Sequence, residues 1–543
     1  MNKKFRLLFI VLTAAILFVQ ISNIWRLDTL PFVDLPNHLA EAYLLRVLSA
    51  PDEPLKSFYR MDINFFTPGS LHAVFCSLFP DVEKGNKFFY TLYMLILVIS
   101  MILLIAMING EIWTALLATL FLYNYSLMLG LTGFTMGIAL VMLDMALLSQ
   151  FLAKPSLARA LSLTSLTLLL YYTHVLSFFF ASTVILAAVL SRRGFHFRHY
   201  LLGLLTLVPG LALLGVWIGQ SPAFGGTSPL ISFMTSYYGQ EYLGSIPYRL
   251  IKILGNDNFR VAPGTQGAIV GSLFILSLVM VIAGLIWAAL HSNGKDGNLW
   301  ADTRRMFENR TFFFKSKEPV VTRSWCHPRS VHTALVFILV AGLCYFILPD
   351  ELPDQPVLYQ RFSVFIFLGL IWITASLIPQ NVRKPVLVFF VLIVIAHSGV
   401  WFQYFSQFKE TSQPFHDLLY NNTWSRGRTL SAIIEEPVKG DKTFRHYQNY
   451  QLIWNHGPVS TRIMDYRFRI IQPQRKDHPP PYYDSLYGEI EYNKLIDGYR
   501  DMELLLVYGP KALFAVSSHG GYVEIARRRN WALFRKIPKN RSR

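Results

Sequence analysis

The chain has 543 residues, of which 53% are hydrophobic and only 15% are charged, and its formal net charge at pH 7 is +17. Together with a mean hydropathy of +0.37, this composition excludes an ordinary soluble protein and indicates a polytopic membrane protein. The excess of positive charge does not require nucleic acid as a partner, because lysine and arginine of membrane proteins collect in cytoplasmic loops and near anionic lipid or phosphate. Three widely spaced cysteines without a CxxC motif favour neither a zinc site nor a disulfide framework.

The chain begins with a basic stretch and an apolar run from Leu7 to Val19. No A-x-A cleavage site follows, so we expect an uncleaved first membrane helix rather than a signal peptide. Later apolar runs lie near 87–108, 111–129, 131–150, 158–191, 199–219, 266–290, 331–348, 362–379 and 384–404. Because 158–191 is long enough for two short helices with a break, the total is about eleven spans. The fold expected for residues 1–404 is therefore a mainly α polytopic bundle with a long loop over 23–85.

The basic residues of the loops set the expected orientation. Loops 151–159, 191–199, 291–330 and 380–384 are rich in lysine and arginine, whereas the first loop and 349–361 are more acidic. By the positive-inside rule the N-terminus is cytoplasmic. With an odd number of spans, the loop 23–85 and the C-terminal region then lie on the outer face.

The character of the sequence changes after residue 404. Residues 405–543 are mixed polar, with strand-like runs at 463–471, 512–516, 522–526 and 531–535 and three consecutive prolines at 479–481. We expect a small α+β domain outside the membrane. Its segments Phe444-Arg-His-Tyr-Gln-Asn-Tyr450, Trp454-Asn-His456 and Ser517-Ser-His519 would suit sugar recognition, but an ordinary small core explains them better.

A charged motif, Phe32-Val-Asp-Leu-Pro-Asn-His-Leu-Ala-Glu41, follows the first span. On a helix, Asp34, His38 and Glu41 would lie on one side, and membrane proteins rarely keep such a cluster without a use for it. Asp34 has two interpretations. It could cap a helix that has proline in its first turn, or it could be a general base whose pKa is raised by partial desolvation. His38 could share the proton, position an acceptor or, with Asp34, ligate a divalent cation, but an isolated interfacial histidine is often only hydrogen-bonded.

Two further histidines are candidates for the same site. His72 follows Pro68 in a second short helix of the first loop, and His174 lies at the break in 158–191, within Tyr171-Tyr-Thr-His174. A helix break at membrane depth is tolerated where it is buried in protein or lines a watery cavity. We expect both histidines to contact substrate. The alternatives are an interfacial residue for His72 and a packing role for His174.

Basic residues on the outer face are candidate phosphate ligands. The loop Asp350-Glu-Leu-Pro-Asp-Gln-Pro-Val-Leu-Tyr-Gln-Arg361 ends directly on a span. The planar guanidinium of Arg361 can bind phosphate through two hydrogen bonds, with Tyr359 and Gln360 beside it. The alternative for Arg361 is snorkelling at a helix end. In the loop 220–264, Arg249, Lys252 and Arg260 could meet a headgroup or lie along the interface.

No P-loop, HExxH, GxSxG or Rossmann motif is present. Three stretches instead resemble the GT-C superfamily of polytopic glycosyltransferases, which use polyprenyl-phosphate sugars. They are Asp34-Leu-Pro-Asn-His38 in the first outer loop, Thr67-Pro-Gly-Ser-Leu-His-Ala-Val-Phe-Cys-Ser-Leu78 before the second span, and Leu168-Leu-Leu-Tyr-Tyr-Thr-His-Val175 at a helix break. The sequence lacks the paired acidic residues common at this motif, which leaves metal dependence open.

The resemblance implies an outer-face active site in a bacterial-type inner (plasma) membrane, with the C-terminal domain periplasmic or extracellular. It further implies that Asp34 acts as catalytic base on an acceptor, which could be a saccharide, a lipid or a protein. Two other classes are alternatives: a transporter or flippase of a lipid-linked saccharide, and a non-catalytic membrane scaffold with an outer binding domain. Asp144, the one acidic residue in the middle of a span, offers the transporter weak support.

Overall fold

The computed structural model describes residues 3–108, 110–192, 196–220, 242–255, 279, 328–350, 357–377, 383–420, 422–435, 442–461, 470–474 and 492–538. The α-helices of the first half are α1 (Lys3–Trp25), α2 (Leu35–Val47), α3 (Leu71–Ser77), α4 (Val82–Met107), α5 (Tyr125–Met128), α6 (Thr132–Ala153), α7 (Leu157–Thr173), α8 (Val175–Leu190), α9 (Phe197–Leu205) and α10 (Val208–Gln220). The later α-helices are α11 (Tyr242–Gly255), α12 (Pro328–Ile347), α13 (Ser363–Leu377), α14 (Arg383–Leu419), α15 (Tyr450–Asn455), α16 (Tyr492–Gly498) and α17 (Pro510–Ser518).

Shorter elements complete the described part of the chain. The 3-10 helices cover Pro54–Ser57, Ile112–Phe121, Tyr359–Phe362, Thr423–Ser425 and Tyr447–Asn449. The strands are β1 (Tyr59–Met61), β2 (Leu430–Ile434), β3 (Ile471–Pro473), β4 (Leu504–Tyr508), β5 (Tyr522–Arg528) and β6 (Trp531–Lys536). The protein is thus mainly helical with a small sheet region towards its C-terminus, as expected.

Several helices are long and apolar enough to cross a membrane. Among the described residues there are 5 such segments: Lys4–Trp25, Val82–Met107, Thr132–Ala153, Phe197–Gln220 and Lys384–Leu419. Shorter apolar helices cover Ile112–Met128, Val175–Leu190, His332–Ile347 and Tyr359–Ala375. These helices are typical of a membrane protein, but the predicted number of about eleven spans is not confirmed. The run near 266–290 lies outside the described residues apart from 279.

The run near 111–129 differs from its prediction as a membrane-spanning helix. It forms a 3-10 helix of 10 residues, Ile112–Phe121, followed by the short α5. At about 2 Å of rise per residue, the 3-10 helix covers about 20 Å, whereas the hydrocarbon core of a bilayer is about 30 Å thick. Its residues 113–121 are all buried, so this segment packs inside the bundle.

Helix α6 lies at the centre of the bundle. It packs against α4, α7 and α8. In its most apolar segment of 18 residues, 78% is buried inside the protein. A helix that is apolar on all sides is expected in such a position. The break predicted in 158–191 is confirmed, because α7 ends at Thr173 and α8 begins at Val175. The amino-terminal end of α6 therefore lies beside this break, since a Cβ on Gly133 would be 2.5 Å from the carbonyl oxygen of Thr173.

The C-terminal region contains a mixed four-stranded sheet in the order β2-β4-β6-β5, in which only β2 and β4 are parallel. Helices α16 and α17 share a separate apolar cluster with this sheet. The strands predicted at 522–526 and 531–535 are confirmed. The strand predicted at 512–516 is wrong, because these residues belong to α17, where Pro510 occupies the first turn. Most of the run 463–471 and the prolines at 479–481 lie outside the described residues.

The C-terminal region and the first loop are joined by a small two-stranded sheet. Strand β1 pairs antiparallel with β3, so that Tyr59 is opposite Pro473. The hydroxyl of Tyr59 also donates to the carbonyl of Val459 (3.1 Å) and accepts from its N–H (2.9 Å). In addition, α14 runs on to Leu419, so the predicted division between residues 404 and 405 falls inside a helix. The tail is thereby packed directly against the loop that carries Asp34.

Candidate active site around Asp34

The backbone of Asp34 is held by the turn between α5 and α6. The N–H groups of Val33 and Asp34 donate to the carbonyls of Met128 and Leu129, each at 3.0 Å. In this turn Gly130 has φ +77°, and a Cβ there would lie 2.5 Å from the nitrogen of Leu35 and 2.7 Å from that of Asp34. Only glycine fits this close approach without moving the backbone. The start of α2 is therefore fixed against the start of α6.

We expect Gly130→Ala to damage this arrangement. Left-handed backbone costs a residue with a side chain about 1–2 kcal/mol, and the new methyl group would push the Asp34 backbone away. Thermal unfolding in detergent should show a lower midpoint. The matched control is Gly342→Ala on α12, where a Cβ would meet nothing within 4 Å, and we expect no loss there. Equal midpoints for the two variants would contradict the tight contact.

The Asp34 side chain does not cap α2. Asp34 is the residue before the helix, yet its carboxylate makes no capping hydrogen bond. Its Oδ1 instead lies 3.1 Å from Nε2 of His446. The Asp34 side chain is 25% exposed, whereas that of His446 is 0% exposed. The capping interpretation is therefore wrong, and Asp34 forms a pair whose histidine is enclosed and whose carboxylate remains accessible.

The environment of Asp34 favours the ionised carboxylate. Burial alone would raise its pKa, but the hydrogen bond with His446 and the neighbouring His446, His38 and Arg445 side chains outweigh this effect. The net result is that the pKa of Asp34 is lowered from its ordinary value. The expectation of a raised pKa is wrong, because it could not include a histidine from the distant tail. Asp34 is thus an ionised hydrogen-bond acceptor at neutral pH.

His38 and Glu41 lie on the same side of α2 as Asp34, as their spacing predicted. Nδ1 of His38 is 3.7 Å from Oε2 of Glu41. The other oxygen of Glu41 accepts a hydrogen bond from the N–H of Ile470 (3.4 Å). Glu41 therefore orients His38 through one carboxylate oxygen and binds the backbone of the tail through the other. His38, with 35% of its side chain exposed, is the member of this pair that remains open to a ligand.

The prediction that His72 binds substrate is not supported by its surroundings. Its ring is buried, and Nε2 lies 2.9 Å from Oδ1 of Asn86 and 3.5 Å from Sγ of Cys76. Burial, the largest effect, and the nearby His38 lower the pKa of His72 to about 3. A neutral, enclosed imidazole supports the ring of His38, 5.9 Å away between centroids, rather than a substrate.

His174 occupies the break between α7 and α8. Its Nδ1 accepts a hydrogen bond from the N–H of Leu176 (3.2 Å), so the histidine caps α8. In the neutral ring the proton is then on Nε2, which can donate to a ligand. The ring packs edge to face on Phe134, with 5.3 Å between the centroids.

Arg361 approaches the same aromatic ring. Its Cζ is 5.8 Å from the centroid of Phe134, and its Nε donates to the carbonyl of Val357 (2.9 Å). Both Arg361 and His38 lie within electrostatic range of His174. Asp34, His38, His174 and Arg361 are therefore gathered around the start of α6. Arg361 is 3% exposed, which excludes simple snorkelling.

The neighbours of Arg361 differ in their surroundings. Oε1 of Gln360 is buried and has no hydrogen-bond partner among the described residues, so it can accept from a ligand. Tyr359 is enclosed, with its ring centroid 4.0 Å from Cζ of Arg249 and 5.1 Å from the ring of Tyr345. The predicted contact of Tyr359 with substrate is therefore replaced by a packing role.

Arg249 also has a structural role rather than the proposed contact with a headgroup. Its side chain is 0% exposed and its Nη1 donates to the carbonyls of Tyr345 (2.9 Å), Phe346 (3.1 Å) and Leu348 (2.6 Å) at the end of α12. Its Nη2 lies 3.1 Å from Oδ1 of Asp350. A cation at this position satisfies carbonyls that have no partner within the helix. Arg260 lies outside the described residues.

We expect Arg249→Ala to destabilise the protein by about 2–4 kcal/mol, because it removes charge-assisted hydrogen bonds to several buried carbonyls. A chemical or thermal unfolding curve in detergent measures this loss. The control is Lys252→Ala on the same helix, where the ammonium lies 5.2 Å from the ring centroid of the exposed Tyr248. An Arg249→Ala protein as stable as the control would exclude the structural role.

The described side chains around Asp34 give little support for a metal site. No group of three His, Cys, Asp or Glu side chains that could hold a metal ion occurs in the part of the chain that the structure describes. Asp34 and His38 alone would leave most of the coordination of a divalent cation to water and substrate.

Sequence reasoning missed His446 and Asn37. The oxygen Oδ1 of the buried Asn37 accepts from Nδ2 of Asn449 at 2.7 Å. Both His446 and Asn449 belong to the aromatic and histidine-rich segment 444–450, for which an ordinary small core was the expected role. The only available signal was the polar residues within that aromatic segment.

Comparison with known proteins does not assign this chain to a family. No protein-family model matches the chain, and a search of curated proteins gave no significant match. The resemblance to GT-C glycosyltransferases therefore stays a prediction based on the motifs given above.

Proposed function

We propose that this protein is a membrane glycosyltransferase that moves a glycosyl unit from a polyprenyl-phosphate carrier to an acceptor hydroxyl. The observation that carries the proposal is the gathering of one accessible, ionised carboxylate with His38, His174 and Arg361 at the start of α6. A transferase of this kind needs a proton acceptor and groups that stabilise a departing phosphate. Both kinds of group are present here, next to helices long enough to cross a membrane.

The reaction is a displacement at the anomeric carbon. The acceptor oxygen forms a bond to this carbon while the bond from the carbon to the phosphate oxygen breaks. Asp34 accepts the proton of the hydroxyl and later releases it to water. The lowered pKa of Asp34 makes it a weak base towards a free alcohol. It therefore acts by accepting a hydrogen bond that strengthens as the alcohol becomes acidic in the transition state.

The leaving group is polyprenyl phosphate, which gains one negative charge when the bond breaks. Arg361 is buried and permanently charged, and a cation in such surroundings interacts with phosphate more strongly than in water. His174 Nε2 is a second donor for the same oxygens. His38 is within electrostatic range of both Asp34 and His174 and positions the acceptor.

The orientation is part of the proposal. The basic loops identified in the sequence favour a cytoplasmic N-terminus in a bacterial inner membrane. Asp34 and the tail packed on it then face the periplasm or the outside of the cell. A lipid carrier would reach the site from within the membrane.

A transfer assay tests this function. The purified chain in lipid vesicles is given a panel of radiolabelled polyprenyl-phosphate sugars together with saccharide, lipid and peptide acceptors. We expect one donor to lose its label to an acceptor, and empty vesicles to show no such transfer. If no sugar of the panel leaves its carrier while the protein remains folded, the proposed function fails.

A further inference from the structure

The tail residues 442–461, named here the docking segment, cover the start of α2 and the loop residues that precede it. Asn449 donates to Asn37 on α2, as described above. The hydroxyl of Tyr447 donates to the carbonyl of Leu30 (3.2 Å), and the hydroxyl of Tyr43 is hydrogen-bonded to Nδ1 of His456. Each contact joins the docking segment to the first loop or to α2. Its position over Asp34 is therefore fixed at several points.

Further along the docking segment, the indole Nε1 of Trp454 donates to Oε2 of Glu83 on α4 (2.8 Å). This contact fixes the end of the segment that lies away from Asp34. Its other end carries His446, which is 0% exposed and 3.1 Å from Asp34. The imidazole is enclosed and its Nε2 faces Asp34, so Asp34 and not His446 is the member of the pair that is open to a substrate. The effect of His446 must pass through the Asp34 carboxylate.

We infer that His446 is a positioning residue, which holds the Asp34 carboxylate in place for the acceptor, and that the docking segment thereby completes the site. The role in catalysis rests on the proposed function, whereas the pairing itself does not. Nε2 of the imidazole lies 3.1 Å from Oδ1, which leaves Oδ2 of Asp34 for the acceptor hydroxyl. Within the described part of the chain, the charged and titratable groups facing Asp34 are His38 on α2 and Arg445 and His446 on the docking segment, and the α5–α6 turn contributes none.

The pairing can be tested without any knowledge of the substrate. A water-soluble carbodiimide with an amine modifies protonated carboxyls, and mass spectrometry of the full-length protein gives the extent of modification of Asp34 at each pH. The exposed Asp28 on the same loop is the internal standard. We compare the wild type with His446→Ala, which removes the donor, and His446→Gln, which keeps an N–H donor without the charge.

We expect little modification of wild-type Asp34 at pH 5, because the carboxylate is ionised. In His446→Ala the contact that favours the ionised carboxylate is lost while the burial of Asp34 remains, so a larger fraction of Asp34 is protonated and its modification should rise severalfold. His446→Gln should show a smaller rise. An unchanged Asp34 signal in His446→Ala would overturn the pairing.

The matched control is His456→Ala, which removes another histidine of the docking segment that contacts Tyr43 and not Asp34. It should leave the modification of Asp34 at the wild-type level. If His456→Ala raises the modification as much as His446→Ala does, looser docking and not the pair explains the result, and the inference is overturned.

The catalytic part of the inference has its own readout. In His446→Ala we expect a lower kcat at pH 7 and an acid limb of the rate profile that moves to higher pH, with His446→Gln partly restoring both. A loss of kcat without any shift of the acid limb would overturn the positioning role. If the modification results hold but no donor of the panel is turned over, the proposed function fails and the pairing stands.

Discussion

Asp34→Asn is expected to reduce glycosyl transfer about a hundredfold to ten-thousandfold, the range that a positioned general base supplies. The amide has the same shape and can still meet Nε2 of His446 through its oxygen, so the local structure should be retained. It cannot accept the proton of the acceptor hydroxyl. The loss should therefore appear in kcat, with little change in KM, and is measured with the radiolabelled donor at saturating acceptor.

The control for this variant is Asp28→Asn, which removes an exposed carboxylate from the same loop. It has the same effect on net charge and should retain wild-type turnover. Thermal unfolding midpoints of the two variants establish that both are folded. Equal turnover in Asp34→Asn and Asp28→Asn would exclude Asp34 as the base.

Arg361→Gln is expected to give the second largest effect, a loss of about a hundredfold to a thousandfold in kcat. Removing one group that stabilises developing charge has effects of this size in other enzymes. Arg361→Lys keeps the charge but not the planar fork, so an intermediate loss is expected. Because the guanidinium is buried, unfolding midpoints must accompany both measurements.

Arg60→Gln is the matched control for Arg361. Arg60 is exposed on β1 and its Nη2 donates to Oε1 of Gln472 (2.6 Å). Its replacement removes one positive charge from the first loop and tests general attraction of an anionic carrier. If Arg60→Gln lowers kcat as much as Arg361→Gln does, the phosphate assignment is wrong.

Local spacing in the sequence predicted the part of the site that lies on α2 and at the helix break. The i, i+4 and i+7 pattern placed Asp34, His38 and Glu41 on one side of a helix, and Tyr171-Tyr-Thr-His174 placed a histidine at a break. These features depend on residues close together in the chain. They could therefore be predicted without knowledge of the tertiary packing.

His446 and Gly130 could not be assigned in this way. The partner of Asp34 lies on a segment distant in the chain, and its approach depends on docking contacts such as Asn449 with Asn37. The run at 111–129 was equally ambiguous, because an apolar sequence does not distinguish a spanning α-helix from a buried 3-10 helix. In each case the packing of distant elements decides the outcome.

The most direct test of the central claim uses the radiolabelled donor that the panel identifies. The position of its label is followed in vesicles that contain either the wild type or Asp34→Asn. Extraction with organic solvent separates sugar that is still on its polyprenyl carrier from sugar on a water-soluble acceptor. We predict that label moves to the acceptor with the wild type, with one polyprenyl phosphate released per sugar, and stays on the carrier with Asp34→Asn. Label that remains on the carrier but crosses the membrane in both proteins would contradict the account and indicate a flippase.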